Sequence, residues 1–243
     1  MKKIFSLLVI FSLLILLSGC KWNSKATIRK VEKKLEEKYN ESFSTSAIGD
    51  RYNTDYTRLY CYPDKNKELL FNVYYYDDGR MVDDYVEARI EYDLAQELSN
   101  EIKKYNIDSV SKVVIRADGR DENKNYYNMT AKEYLVDVKT IGLYIEMSIN
   151  SDTIKSENDV ENLKKAIKDF SDRYNSIEIV NAVYLIRGEQ YNEVVKFYKK
   201  HTSIDDSIDD YTDGEKRHVT ISVNYEKGKL TVNKSIMDII NSE

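Results

Sequence analysis

The stretch DDYVEARIEYDLAQELSNEIKKYN, residues 83–106, carries the clearest structural pattern in the chain. Apolar side chains recur at every fourth position in it: Val86, Ile90, Leu94, Leu98 and Ile102. This spacing puts them on one face, so it predicts an amphipathic helix over 84–105 that packs on a sheet or core. Asp83 or Asp84 is predicted to cap its start, and Asn106 to end it in a left-handed conformation.

The sequence before this helix predicts another helix and three strands. Apolar residues at helical spacing predict the helix, over residues 24–40. Short runs rich in aromatic and β-branched residues predict the strands, over 43–48, 57–62 and 69–76. A further strand, 111–116, follows the long helix, and together these elements form a predicted first α+β subdomain, residues 26–116.

The sequence after this subdomain predicts a polar linker, residues 117–129, and a second α+β subdomain, residues 130–243. Thr130 and Glu133 form a capping-box pattern at its start. Strands and helices then alternate: strands 141–149, 177–186, 217–225 and 230–232, and helices 157–174, 189–200 and 235–241. Ser156 is predicted to cap the helix 157–174. The predicted fold class is therefore α+β, with antiparallel or mixed sheets each covered by a long amphipathic helix. One continuous mixed sheet is the alternative.

The first 20 residues have the pattern of an export signal. Lys2 and Lys3 precede an apolar run, Ile4–Leu17, of 14 residues. A membrane-spanning helix needs about 20 apolar residues, so this run fits the core of a signal peptide better than an uncleaved anchor. The run ends in Leu17-Ser18-Gly19-Cys20.

This ending resembles the lipobox of bacterial lipoproteins. The resemblance implies a signal peptide over residues 1–19, cleavage before Cys20, a diacylglycerol on the Cys20 sulfur, and an anchor and tether over residues 20–25. A chain with two acyl groups is held stably on a membrane, here the outer face of the plasma membrane. The whole chain is similar to uncharacterised small surface lipoproteins of low-GC Gram-positive bacteria.

Cations follow the proposed anchor at helical spacing: Lys21, Lys25, Arg29 and Lys33. One interpretation is a basic helix face that lies against anionic lipid headgroups. The other is an ordinary solvated face. The membrane is therefore a predicted partner through the Cys20 lipid, and these cations are candidates for assisting it.

Charge and cysteine content narrow the possible partners and compartments. The net charge is −5, and the mature chain is more acidic still because the signal contains Lys2 and Lys3 but no acid. Phosphate-backbone binding usually needs a basic surface, so nucleic acid is not a predicted partner. If Cys20 is lipidated, Cys61 is left without a disulfide partner, and we interpret it as a small buried apolar residue.

No catalytic, cofactor or metal motif stands out. Glycine-rich phosphate loops and a nucleophile elbow are missing from the sequence, and His201 and His218 lack zinc-ligand spacing. The acidic stretch 205–215 does not match an EF-hand. In a loop that begins at Asp209, Tyr211 and Thr220 would occupy ligand positions. We therefore predict neither a calcium site nor any other metal or cofactor.

These observations favour a lipid-anchored extracytoplasmic binding or accessory protein, with an unknown protein or small molecule as its partner. Two alternatives stay open: a lipid-anchored hydrolase with an unrecognised acidic site, and the solute receptor of a transporter. Convergent carboxylates in a cleft would favour the hydrolase. A closed surface with one apolar patch would favour the binding protein.

Overall fold

The predicted α+β fold class is confirmed in a computed structural model that describes residues 24–49, 54–121, 124–174, 177–200, 219–226 and 229–232. Its strands form two separate sheets, one of four strands and one of five. The alternative of a single continuous sheet is therefore wrong. The chain divides into two compact units between Asp84 and Tyr85.

The first unit is a helix followed by an antiparallel meander. The helix α1 is described over residues 24–39. The strands are β1 (Phe43–Ile48), β2 (Tyr56–Pro63), β3 (Phe71–Tyr76) and β4 (Met81–Asp83). They lie in sequence order, and each is antiparallel to the next. The sequence did not predict β4, since three residues are too few to show a strand pattern.

α1 covers the inner face of the four-stranded sheet. Its buried residues Val31, Leu35 and Tyr39 recur at helical spacing. Alternate residues of the strands bury their side chains on the same side: Leu59, Cys61, Phe71 and Val73. The interpretation of Cys61 as a buried free cysteine is thereby confirmed.

The second unit alternates helices with the strands of the five-stranded sheet. Its helices are α2 (Tyr85–Lys103), α3 (Ala131–Asp137), α4 (Glu157–Arg173) and α5 (Gly188–Lys200). Its strands are β5 (Ser109–Ala117), β6 (Thr140–Asn150), β7 (Glu178–Ile186), β8 (Val219–Glu226) and β9 (Lys229–Val232). They lie in sequence order, and β6 and β7 form the parallel pair, joined through α4.

α2 buries its apolar face in the core of this unit, and the pattern predicted such burial. All five residues of its apolar row are buried. It packs against β5, and α4 packs against α2. The predicted local signals are also confirmed: Asn106 has a φ of 59°, Thr130 and Glu133 form a capping box, and Ser156 caps α4.

The predicted domain boundary at 117–129 needs correction. This segment connects β5 to β6, which pair with each other along most of their length. It therefore lies within one unit, and the boundary is at the start of α2 instead. Polarity alone suggested the linker, but a polar loop between two paired strands has the same composition.

Several predicted features lie outside the described residues. They are the lipobox with Cys20, Lys21, the acidic stretch 205–215, both histidines and the helix 235–241. Among the helices that are described, none combines the length and the apolar character needed to cross a membrane.

Candidate functional site

The outer face of the four-stranded sheet, opposite α1, is rich in tyrosine. Strand residues alternate between the two faces, so the neighbours of the buried Leu59 and Val73 point outward. We call this surface the tyrosine face and define it by Tyr56, Arg58, Tyr60, Tyr62, Asn72, Tyr74 and Tyr76. The register of β2 and β3 pairs these residues across the strands, with Arg58 opposite Tyr74 and Tyr60 opposite Asn72.

Three rings of the tyrosine face, those of Tyr56, Tyr74 and Tyr76, pack against one another at steep angles. The ring centroid of Tyr56 lies 5.3 Å from that of Tyr74, with an interplanar angle of 80°. It lies 5.6 Å from that of Tyr76. Such tilted contacts are favourable between aromatic rings and hold their orientation. The rings are half-buried, so each keeps an accessible part.

Two arginines lie over these rings. The guanidinium carbon of Arg58 is 4.9 Å from the ring centroid of Tyr60 and 5.8 Å from that of Tyr74. The guanidinium carbon of Arg80, in the turn before β4, is 4.2 Å from the ring centroid of Tyr76. These distances are within the range of cation–π attraction. The surface therefore combines aromatic area with the positive charge of Arg58, while Arg80 is also paired with Asp78 over 3.4 Å.

A relay of hydrogen bonds runs from Arg58 through Asn72 to Asp84 and fixes the guanidinium group of Arg58. Its Nε and Nη2 donate to Asn72 Oδ1 over 3.1 and 2.9 Å. Asn72 in turn donates to Asp84, from Nδ2 to Oδ2 over 2.8 Å and from its backbone N to Oδ1 over 2.6 Å. The guanidinium is thus held by the relay and by the two rings at once.

Burial shifts the pKa of two groups in this region. It raises the pKa of the Asp84 carboxyl, although the hydrogen bonds from Asn72 act in the opposite direction. It also raises the pKa of the Tyr74 hydroxyl, while Arg58 lowers it. The Tyr74 hydroxyl therefore stays protonated and able to donate a hydrogen bond at neutral pH.

The neighbouring carboxylate, Asp83, points to the other side of the sheet. Its side chain is fully buried and accepts hydrogen bonds from Tyr39 Oη over 2.6 Å and from Lys38 Nζ over 2.7 Å. The sequence predicted that one of this acidic pair caps α2. Asp84 does precede the helix, but its carboxylate oxygens bind Asn72. Both carboxylates therefore tie elements of the first unit together.

A second surface lies beside α3 in the other unit. An open groove of about 730 Å³ is lined there by residues that include Asn125, Met129, Lys132 and Val136. Val136 is 68% exposed. An isolated exposed valine is common on protein surfaces, so this groove is a weaker candidate than the tyrosine face.

The described residues hold no group of three or more His, Cys, Asp or Glu side chains arranged to bind a metal ion. The buried thiol of Cys61 has its pKa raised to about 12 by desolvation, with a contact of 3.6 Å to Thr45 Oγ1. A thiol in that state is a packing group and not a nucleophile.

Comparison with known proteins shows one similar fold. No protein-family model and no curated protein matches the chain. A solved structure, that of a DUF5037 family protein from Ruminococcus gnavus, is similar with a TM-score of 0.61 and 13% sequence identity. The similarity covers 89% of this chain and 98% of that one. At this identity it shows a shared fold and nothing about activity.

Of the residues that the sequence singled out for lipid attachment or membrane contact, the structure describes Lys25, Arg29 and Lys33, all exposed on α1. The sequence reasoning missed the tyrosine face, because 21 tyrosines in the chain made any single one uninformative. The usable signal was the alternation in β2, where Tyr56, Arg58, Tyr60 and Tyr62 occupy every second position.

Proposed function

We propose that this chain is a lipid-anchored extracytoplasmic binding module that recognises a protein partner through the tyrosine face. The observation that carries the binding role is the clustering of tyrosine and arginine on one face of the four-stranded sheet. The anchor is supported separately, by the lipobox-like sequence that ends at Cys20.

The residue types of the tyrosine face support a protein partner. Tyrosine and arginine are enriched among the residues that dominate binding energy at protein interfaces. A tyrosine offers a large apolar ring and a polar hydroxyl at a small entropic cost, because few of its torsions must be fixed. Here the ring contacts and the relay through Asn72 already order the side chains, which lowers that cost further.

The shape of the surface favours a protein over a small molecule. Small-molecule sites are concave and bury most of the ligand. The tyrosine face is the outer side of a β-sheet, with Val82 of β4 at its edge, opposite Tyr74 and 37% exposed. A broad face of this kind complements another broad surface.

The anchor is tested by metabolic labelling with a fatty acid. The Cys20→Ala variant is expected to lose the label and to stay unprocessed. Cys61→Ala is the matched control, since Cys61 is buried in the sheet, and it should keep both the label and the processing. Label retained in Cys20→Ala would refute the anchor.

The binding surface is tested with a photoreactive amino acid in cells that produce the protein. Placed in turn at Tyr60, Tyr62 and Tyr74, it is expected to give one and the same protein adduct. Glu36, exposed on α1 on the other side of the sheet, is the control position. Arg58→Ala should weaken the adduct at all three positions.

Adducts that differ between the three positions, or the same adduct from Glu36, would refute the tyrosine face as the contact surface. This result is independent of the labelling result. Either proposal, the anchor or the binding surface, can therefore be refuted without affecting the other.

A further inference from the structure

The half of α1 nearest the N-terminus concentrates positive charge on its exposed side. Five cations between residues 25 and 34 are exposed: Lys25, Arg29, Lys30, Lys33 and Lys34. Val31 and Leu35, buried against the sheet, lie on the opposite side of the helix. Over the same ten residues Glu32 is the single acid.

Glu32 does not neutralise this surface, because its carboxylate turns toward the sheet. Its Oε1 accepts a hydrogen bond of 2.9 Å from the backbone N of Thr45 in β1. Lys33 has an exposed partner in Glu37, at 3.5 Å. Lys25, Arg29 and Lys30 form no ion pair with any residue in the described ranges. Positive charge therefore remains unbalanced at this end of the helix.

The basic end of α1 is also the end nearest the proposed lipid. Ser24 follows Cys20 by four residues, so its Cα lies at most about 14 Å along the chain from that of Cys20. α1 itself is about 24 Å long. The acids Glu36 and Glu37 are on its far half. Salt screens surface charges beyond roughly 8 Å at physiological ionic strength. The half of α1 near the lipid therefore dominates the electrostatic interaction between the helix and the membrane.

We infer that this basic half of α1, from Lys25 to Lys34, docks on the anionic headgroups of the membrane that carries the lipid. The inference rests on the proposed anchor. The anchor keeps the helix close to the surface, so binding of the cations is effectively intramolecular and needs little affinity of its own. Each cation near an anionic surface strengthens binding about fivefold.

Docking of α1 would orient the proposed binding surface. α1 and the tyrosine face lie on opposite sides of the same four-stranded sheet. With α1 against the headgroups, the tyrosine face points away from the membrane. A lipid alone would leave the unit free to rotate, whereas a lipid plus a basic helix face gives it a preferred orientation.

Lysine labelling on vesicles tests the docking. The full-length lipidated protein is reconstituted into vesicles of phosphatidylcholine, or of equal parts phosphatidylcholine and phosphatidylglycerol, and treated with a water-soluble acylating reagent. Lys25, Lys30 and Lys33 are expected to react several-fold more slowly on the anionic vesicles, and high salt should remove the difference. Lys67 is the internal control. It is exposed in the loop after β2. A backbone hydrogen bond joins that loop to Ser42, which lies just beyond the end of α1 that is farther from the lipid.

Charge-reversal variants test whether the cations of α1 cause the slower labelling on anionic vesicles. Arg29→Glu combined with Lys30→Glu should abolish the protection of Lys25 and Lys33, whereas Lys67→Glu should leave it unchanged. Flotation of the protein with phosphatidylcholine vesicles, and its loss in Cys20→Ala, reports on the anchor alone. Equal labelling on both kinds of vesicle would overturn the docking while leaving the anchor intact.

Orientation is tested with a thiol-reactive fluorophore, which reaches an introduced cysteine selectively because Cys61 is buried and Cys20 is lipidated in the proposal. Brominated lipids in the anionic vesicles should quench the fluorophore at Ala26→Cys, beside the basic residues. They should not quench it at Val82→Cys, on the side of the tyrosine face. Equal quenching at the two positions would overturn the proposed orientation.

Discussion

Asn72 donates both its side-chain and its backbone N–H to the carboxylate of Asp84, over 2.8 and 2.6 Å. The amide oxygen of the same Asn72 accepts two hydrogen bonds from Arg58. The orientation of the amide is therefore set from both ends, with its oxygen toward the cation and its nitrogen toward the carboxylate. This relay joins β2, β3 and the residue that ends the first unit.

Asn72→Ala is expected to destabilise the protein by about 1–3 kcal/mol, because the half-buried Arg58 loses its acceptor and Asp84 loses its side-chain donor, while the backbone N–H of residue 72 still donates to Asp84. Chemical denaturation of the full chain measures the effect. Arg58→Ala and the double variant complete a cycle, and residues in one network should couple by at least about 0.5 kcal/mol. Additive effects would mean that the relay is not an energetic unit.

Asp84→Asn should change how stability depends on pH. The pKa of Asp84 is raised above its ordinary 3.8 in the folded state. The folded state therefore binds the proton more tightly than the unfolded state, and stability falls as pH rises from 3.8 through the raised pKa. The variant has no such loss, so its stability relative to the wild type should increase over that range.

The comparison is made by denaturation at a series of pH values. Glu133 and Asp159 have lowered pKa values, because each accepts hydrogen bonds at the start of a helix. Their contribution to stability has the opposite pH dependence, because it is lost as pH falls. It is the same in the wild type and in Asp84→Asn, so it cancels in the difference between their stabilities. A difference that stays constant with pH would contradict a raised pKa for Asp84.

The sequence predicted those parts of the fold whose signals are local. The apolar row of α2 and the caps at Asn106, Thr130 and Ser156 each depend on residues within a few positions of one another, and all are found. Strand pairing is not local. The link between β5 and β6 across residues 117–129 could not be recognised from polarity, and the domain boundary was misplaced for that reason.

The tyrosine face needed the same non-local information. Alternation within β2 shows that Tyr56, Arg58 and Tyr60 share a side, but not which side is covered. That depends on α1 packing over Leu59 and Cys61 and on the register that places Tyr74 beside Arg58. The basic face of α1 was recognisable from spacing, whereas the hydrogen bond that removes Glu32 from it was not.

Leu94→Ala is expected to destabilise the protein by about 2–5 kcal/mol. Leu94 is in the middle of the apolar row of α2 and is 0% exposed, so truncation removes buried apolar surface and leaves a cavity. Gln96→Ala, on the exposed side of the same helix, should change stability by no more than about 0.5 kcal/mol. Equal effects of the two changes in chemical denaturation would contradict this orientation of α2.

Gly188 and Asp152 should be energetically coupled at the start of α5. The backbone N of Gly188 donates a 3.1 Å hydrogen bond to Asp152 Oδ2. A Cβ added at Gly188 would overlap that same oxygen. Gly188→Ala therefore forces the carboxylate to withdraw and loses a contact at a helix N-terminus, at a cost of about 0.5–2 kcal/mol.

Gly188→Ala also has a second effect, which acts on stability in the opposite direction. The sign of the measured change in stability is therefore informative. Replacing glycine by alanine where the backbone is compatible stabilises by about 0.4–1 kcal/mol, since the unfolded chain loses freedom. In the wild type the lost contact should cancel or exceed this gain. In an Asp152→Ala background the overlap is gone, so Gly188→Ala should stabilise the protein. Denaturation of the four proteins gives the coupling, and the same effect in both backgrounds would show that Gly188 does not depend on Asp152.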